Sequence, residues 1–216
     1  MKKQQSGFTL VEIAIVLVII GLLLGGVLKG QELINSAKVT GLSQDFTRVQ
    51  TALYGYQSRY RAVPGDHRTA AAAINLADNA TTPAGLIGNG QIDGAWDSAT
   101  LTDESVLFWQ HARLAGFLSG PTTPNITDYV PTNAVGLRMG ISSTIVIVTP
   151  TPAMTGTYNI CSAGILGKFA KQLDTQLDDG STSTGSVRVA LPTAPTVGVL
   201  TASIVDSTAY NVCIAF

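Results

Sequence analysis

Charge is scarce in this chain: charged residues make up 12% of its 216 positions, and the two signs nearly cancel to a net −1. No basic patch with interleaved aromatics occurs, so the electrostatic footprint of a nucleic-acid binder is missing. Histidine is scarcer still, with only His67 and His111. His67 stands in the turn sequence Pro64-Gly65-Asp66-His67, and His111 lies beside Trp109 and Arg113, where it packs or faces solvent. There is no G-x-S-x-G elbow, H-E-x-x-H pair or phosphate-cradling P-loop, so no enzyme is expected. No A-x-A cleavage pattern follows the N-terminal apolar stretch, which argues against a secretory signal peptide. No proline falls between residues 8 and 60, so nothing there forbids one uninterrupted helix.

What is present lies mostly at the N-terminus. Lys2 and Lys3 head a short polar leader ending at Gly7, and residues 8–28 form an apolar run interrupted by one acid, Glu12. As a helix that run extends about 31 Å, close to the hydrocarbon thickness of a bilayer. The flanking lysines favour an inside N-terminus. A plain single-pass anchor accounts for the length but not for Glu12, because a carboxylate in lipid is costly and is by default functional.

The segment Gly7-Phe8-Thr9-Leu10-Val11-Glu12 resembles the prepilin signature of type IV pilins and of type II secretion pseudopilins. The resemblance implies cleavage between Gly7 and Phe8 by a membrane-embedded prepilin peptidase, followed by N-methylation of Phe8. It also gives Glu12 a purpose: its carboxylate pairs with the Phe8 amine of a neighbouring subunit, so that two charges expensive in lipid satisfy each other. Implied partners are copies of the chain and other pilins in a helical filament, the peptidase, and an inner-membrane assembly platform. The implied location is the bacterial inner membrane, N-in and C-out, then a periplasmic or cell-surface filament. The alternative is a permanently anchored periplasmic binding domain that never polymerises.

The expected organisation is a leader over 1–7, a transmembrane and filament-core helix over 8–28, an amphipathic continuation over 29–60, and a globular head over 61–216. Leu42, Phe46, Val49, Leu53, Tyr56 and Tyr60 recur at spacings of four and three, an apolar stripe on the continuing helix. Gly21, Gly25 and Gly26 include a small-xxx-small spacing that permits close helix approach. Beyond the helix, residues 61–100 read as a loop-rich connector with a short helix near 69–77. Residues 103–118 read as an amphipathic helix, capped by Thr102 or Asp103 and ended by Gly116 or Gly120. The β-branched run 143–149 reads as a buried strand bounded by Pro150 and Pro152. A helix over 163–177 and strands near 186–190, 197–205 and 210–215 complete the pattern. The fold class is α+β: a long N-terminal helix packed on a C-terminal antiparallel sheet, as the pilin resemblance implies.

The head holds both cysteines, Cys161 and Cys213. On the oxidising side of the membrane a disulfide can persist; the other reading is two buried thiols. Many type IV pilins close a C-terminal region with a bridge, so the resemblance favours pairing. A bridge over roughly 50 residues would contribute about 4 kcal/mol and pin the last strand. Within Gly88-Asn89-Gly90-Gln91-Ile92-Asp93-Gly94, the alternation of Asn89, Gln91 and Asp93 looks like a degenerate calcium loop. The closing glutamate is missing, since position 100 is Thr100. Calcium is therefore a candidate cofactor at Asn89, Gln91 and Asp93, against a plain Asx/Gly turn. Asp174, Asp178 and Asp179 read as solvated or capping residues.

Overall fold

The computed structural model describes residues 9–82, 84–123, 129–150 and 152–216. Gly7 and Phe8, with the expected cleavage point, lie outside the described residues. Helix α1 runs from Leu10 to Tyr60, 51 residues without a break, as the absence of proline allows. The chain divides into two compact units between Lys38 and Val39.

In the first unit no described side chain is buried. Every large apolar side chain from Leu10 to Leu28 is between 45% and 88% exposed. A helix apolar on all sides and unburied by its own chain belongs in an apolar solvent. It is the one helix among the described residues long and apolar enough to cross a membrane.

In the second unit the stripe expected on α1 is buried except at its end, where Tyr60 is only partly covered. Val39, Leu42, Phe46, Val49, Leu53 and Tyr56 are all at most 6% exposed. Fully burying such a side chain is worth about 1.5–3 kcal/mol. All but Tyr56, which clusters with Ala70 and Ile74, share a core with Phe108 and Trp109 of α3 (Glu104–Leu114) and Phe169 and Leu173 of α4 (Gly167–Leu177). A four-residue helix, α2 (Ala70–Ala73), lies in the connector.

Among the described residues there are five strands, β1 (Met139–Ser142), β2 (Asn159–Leu166), β3 (Val187–Leu191), β4 (Ala194–Gly198) and β5 (Ala209–Ala215). They form one antiparallel sheet in the order β1-β2-β5-β3-β4. The strand latest in the sequence is thus the central one. Strand alternation sorts the side chains by face. Ile160, Val187, Val189, Val212 and Ile214 join the core that contains α1, while Cys161, Ala190, Cys213 and Ala215 form a second cluster with Trp96, Ile147 and Met154. Gly164, at φ +69°, sits where the β2–β5 register shifts between Ser162 and Ile165. A side chain there would run into Leu137.

Several sequence-based expectations need correction. Residues 143–149 form no strand: Ile147 is fully buried, yet Ile145 and Val148 are about half exposed. The run instead packs Ile147 into the cluster that holds the disulfide cysteines. Its Val148 and Thr149 amides both donate to the Thr196 carbonyl. Alternating β-branched residues mark an extended segment, but not whether it finds a ladder. The expected helix over 163–177 begins only at Gly167, because residues up to Leu166 pair with β5. The strand near 197–205 is β4, ending at Gly198, followed by a 3-10 turn over Thr201–Ser203. Helix α3 is not amphipathic in place; all residues from Glu104 to Arg113 are buried.

Candidate functional site

The first turn of α1 carries the chemistry suggested by the sequence. Thr9 precedes the helix, and its amide and hydroxyl donate to Glu12 Oε2 at 2.7 and 2.8 Å. In return the Glu12 amide donates to Thr9 Oγ1 at 3.3 Å. This reciprocal arrangement is a capping box, T-x-x-E, which satisfies amides that the first turn would otherwise leave open. The T-x-x-E spacing is present in Thr9-Leu10-Val11-Glu12 itself. Glu12 is exposed and is the one charged residue between Leu10 and Leu28 of α1.

Further along, Gly21, Gly25, Gly26 and Gly30 have nothing within 4 Å of where a Cβ would be. They leave shallow notches on an apolar surface, where another helix can approach closely.

Cys161 and Cys213 form a disulfide and are directly opposed in the β2–β5 ladder. The bridge ties the central strand to its neighbour.

In the connector, Asn89, Gln91 and Asp93 bond among themselves. Asn89 Oδ1 accepts from the Gln91 amide at 2.8 Å, an Asx turn, and Asn89 Nδ2 donates to Asp93 Oδ2 at 3.0 Å. The Asp93 amide donates to Glu104 Oε2 at 2.8 Å. Among the described residues no three His, Cys, Asp or Glu side chains are grouped to hold a metal ion.

The histidines are structural in their contacts. His111 is fully buried; Nδ1 accepts the Gly65 amide at 2.9 Å and Nε2 lies 2.7 Å from the Asp78 carbonyl. With Nδ1 accepting, the proton belongs on Nε2, which donates to Asp78. Burial holds His111 down to about 4, partly opposed by that carbonyl. Gly65 has φ +95°, and a side chain there would collide with the Glu104 carbonyl, so glycine alone lets the connector come this close to α3. His67 Nδ1 lies 2.7 Å from the Tyr56 hydroxyl, and burial lowers its pKa. Gln110 exchanges two hydrogen bonds with Asp78, and Arg113 donates to the Pro121 and Tyr129 carbonyls. The polar side chains of a buried helix thus hold the backbone of irregular segments, a role no sequence spacing announced.

Asp174, expected to be solvated or capping, is fully buried, and neither carboxylate oxygen accepts a well-formed hydrogen bond. Burial, then the charges of Asp179 and Asp178, pushes it up to about 7, with the nearby Gly180 amide, outside good hydrogen-bond geometry, acting the other way.

Compared with known families, residues 2–28 match the prokaryotic N-terminal methylation motif, the type IV pilin and pseudopilin signature. No curated protein matches the chain. A long apolar N-terminal helix followed by an antiparallel five-stranded sheet is a pilin-like α+β arrangement.

Proposed function

We propose that the chain is a structural subunit of a type IV pilus or of a pilus-like secretion pseudopilus. It is made as a precursor, cleaved between Gly7 and Phe8 by prepilin peptidase, methylated at Phe8, and held N-in, C-out in the inner membrane. An assembly platform then moves it into a helical filament with copies of itself and other pilins. The observation that carries this reading is the coincidence of the methylation motif over 2–28 with an apolar helix that its own chain leaves uncovered. Leaving lipid requires another cover for that surface, and identical helices stacked in parallel supply it. The disulfide supports a head that matures on the oxidising side.

In the filament the Glu12 carboxylate faces the freed Phe8 amine of the next subunit. Buried apolar surface gives cohesion, and the charge pair sets the register. Nothing in this function calls for catalysis or a cofactor.

Mass spectrometry of the protein recovered from membranes and from sheared surface filaments tests the reading. A methylated Phe8 terminus on a filament component is the expected result. An intact Met1 leader on a protein found only in membranes would leave the permanently anchored binding domain instead.

A further inference from the structure

Where α1 ends at Tyr60, the next residue is Arg61, held at φ +55°. A left-handed residue is a common way to close a helix, and the Arg61 amide donates to the Gln57 carbonyl at 2.9 Å. That position ordinarily belongs to glycine or asparagine, because a Cβ is strained there. An exposed arginine in its place carries a conformational cost that helix closure does not require.

Arg61 lines a cleft of about 410 Å³, together with Tyr60, His67, Arg68, Thr69 and Gly88. That is the size of a small-molecule site. The one carboxylate in its wall, Asp66, is 3% exposed; Oδ1 accepts from the Gly88 amide and Oδ2 from the Gly90 amide at 2.7 Å. Among the described residues neither Arg61 nor Arg68 forms an ion pair, those present being Lys29–Glu32, Arg48–Asp45 and Lys171–Asp206. Arg68 Nη2 donates to the Ile87 carbonyl, and a Cβ on Gly88 would come within 3.4 Å of that nitrogen. The Arg68 guanidinium is therefore fixed against the loop in advance, which lowers the ordering cost of binding. Arg59, the basic residue in the last turn of α1, offsets the helix dipole and donates to the Ala115 carbonyl at 3.4 Å.

We propose that this cleft binds an organic phosphate, with the phosphoryl group between Arg61 and Arg68. Guanidinium groups meet phosphate oxygens with paired N–H donors and keep their charge at any working pH. Tyr60 and Thr69 supply neutral hydroxyls in the same wall for the rest of the ligand. A bare ion would leave most of the cleft empty, so the ligand class is an ester of a small polar molecule, of the size of a sugar phosphate. The site belongs to the head and holds whether or not the chain polymerises.

Isothermal titration of the full chain in non-ionic detergent micelles tests the site, with glucose 6-phosphate as probe and glucose as control. Saturable binding of the phosphate alone, weakening as sodium chloride is added, is the expected result. Arg61→Gly should weaken binding by about tenfold or more, since it removes charge-assisted hydrogen bonds. Glycine also relieves the left-handed strain, so the Tm of that variant should hold or rise while its affinity falls. Arg68→Gln should weaken binding to a similar degree. Dextran carrying phosphate esters distinguishes the source: binding of the dextran in preference to glucose 6-phosphate identifies an ester borne on a polymer. No saturable binding of either probe, equal binding of glucose, or unchanged affinity in both variants would overturn the proposal. Inorganic phosphate binding as tightly as the ester would overturn it too, by reducing the cleft to a simple anion site.

Discussion

Glu12 is bonded to Thr9 within its own chain, through two donors from Thr9 and one returned by the Glu12 amide. The carboxylate proposed to find a neighbour's amine is thus held at the helix start before any neighbour arrives. Pre-positioning of this kind lowers the ordering cost of the later pairing.

The two roles separate by mutation. Glu12→Ala removes both cap and pair, so the protein should still lose its leader while filament yield drops about tenfold or more. Thr9→Ala loosens the cap and keeps the charge, and should lower yield by only about twofold. Immunoblots for leader removal and electron microscopy of sheared filaments read both. Equal losses would make capping, and not intersubunit pairing, the task of Glu12.

The disulfide gives the second prediction. Replacing Cys161 and Cys213 together with serine should cost about 4 kcal/mol of head stability, since the bridge closes a 52-residue separation. A Tm fall of about 10 °C is expected for a domain of this size. Reductant should reproduce that fall in the unsubstituted protein and do nothing to the double variant.

His111 predicts an acid limb. Its folded pKa, about 4, lies below the ordinary 6.5, so the unfolded chain takes up a proton first. Stability from this residue is complete above about 6.5 and is lost as pH falls toward about 4. His111→Leu should flatten that limb. It should also cost about 2–4 kcal/mol at neutral pH, because the Gly65 amide and the Asp78 carbonyl lose their partner. Denaturation measured across pH 4 to 8 checks both effects.

Asp174 predicts the opposite sign. Its pKa is raised to about 7, so stability present below about 3.8 declines as pH rises to that point. Asp174→Asn keeps the shape and removes the buried charge. It should stabilise the head by about 1 kcal/mol at pH 8 and change little at pH 4. Destabilisation at pH 8 would mean that the carboxylate has a partner.

The N-terminal site was legible because its code is local. Gly7, Phe8, Thr9 and Glu12 are neighbours along the chain, and so the signature needs no fold to assemble it. The stripe from Leu42 to Tyr56 was legible for the same reason: a 3.6-residue period is a property of sequence. The head resisted. The run over 143–149 has strand chemistry, and only the placement of β2 and β5 as neighbours sends it across the back of the sheet. Asp174 reads as solvated or capping, and His111 as packed or facing solvent, because polarity along the chain says nothing about which neighbours will enclose it.

By itself, then, the sequence determined the apolar rod, its single acid, the processing motif, the amphipathic continuation and the α+β class, all of which rest on spacings within a few residues. Tertiary structure decided which strands pair, that the strand latest in sequence lies at the centre, and that α3 is buried on every side. Those outcomes join positions dozens of residues apart. Side-chain shape and hydrogen-bond supply across the packed head select them, and no local pattern encodes either.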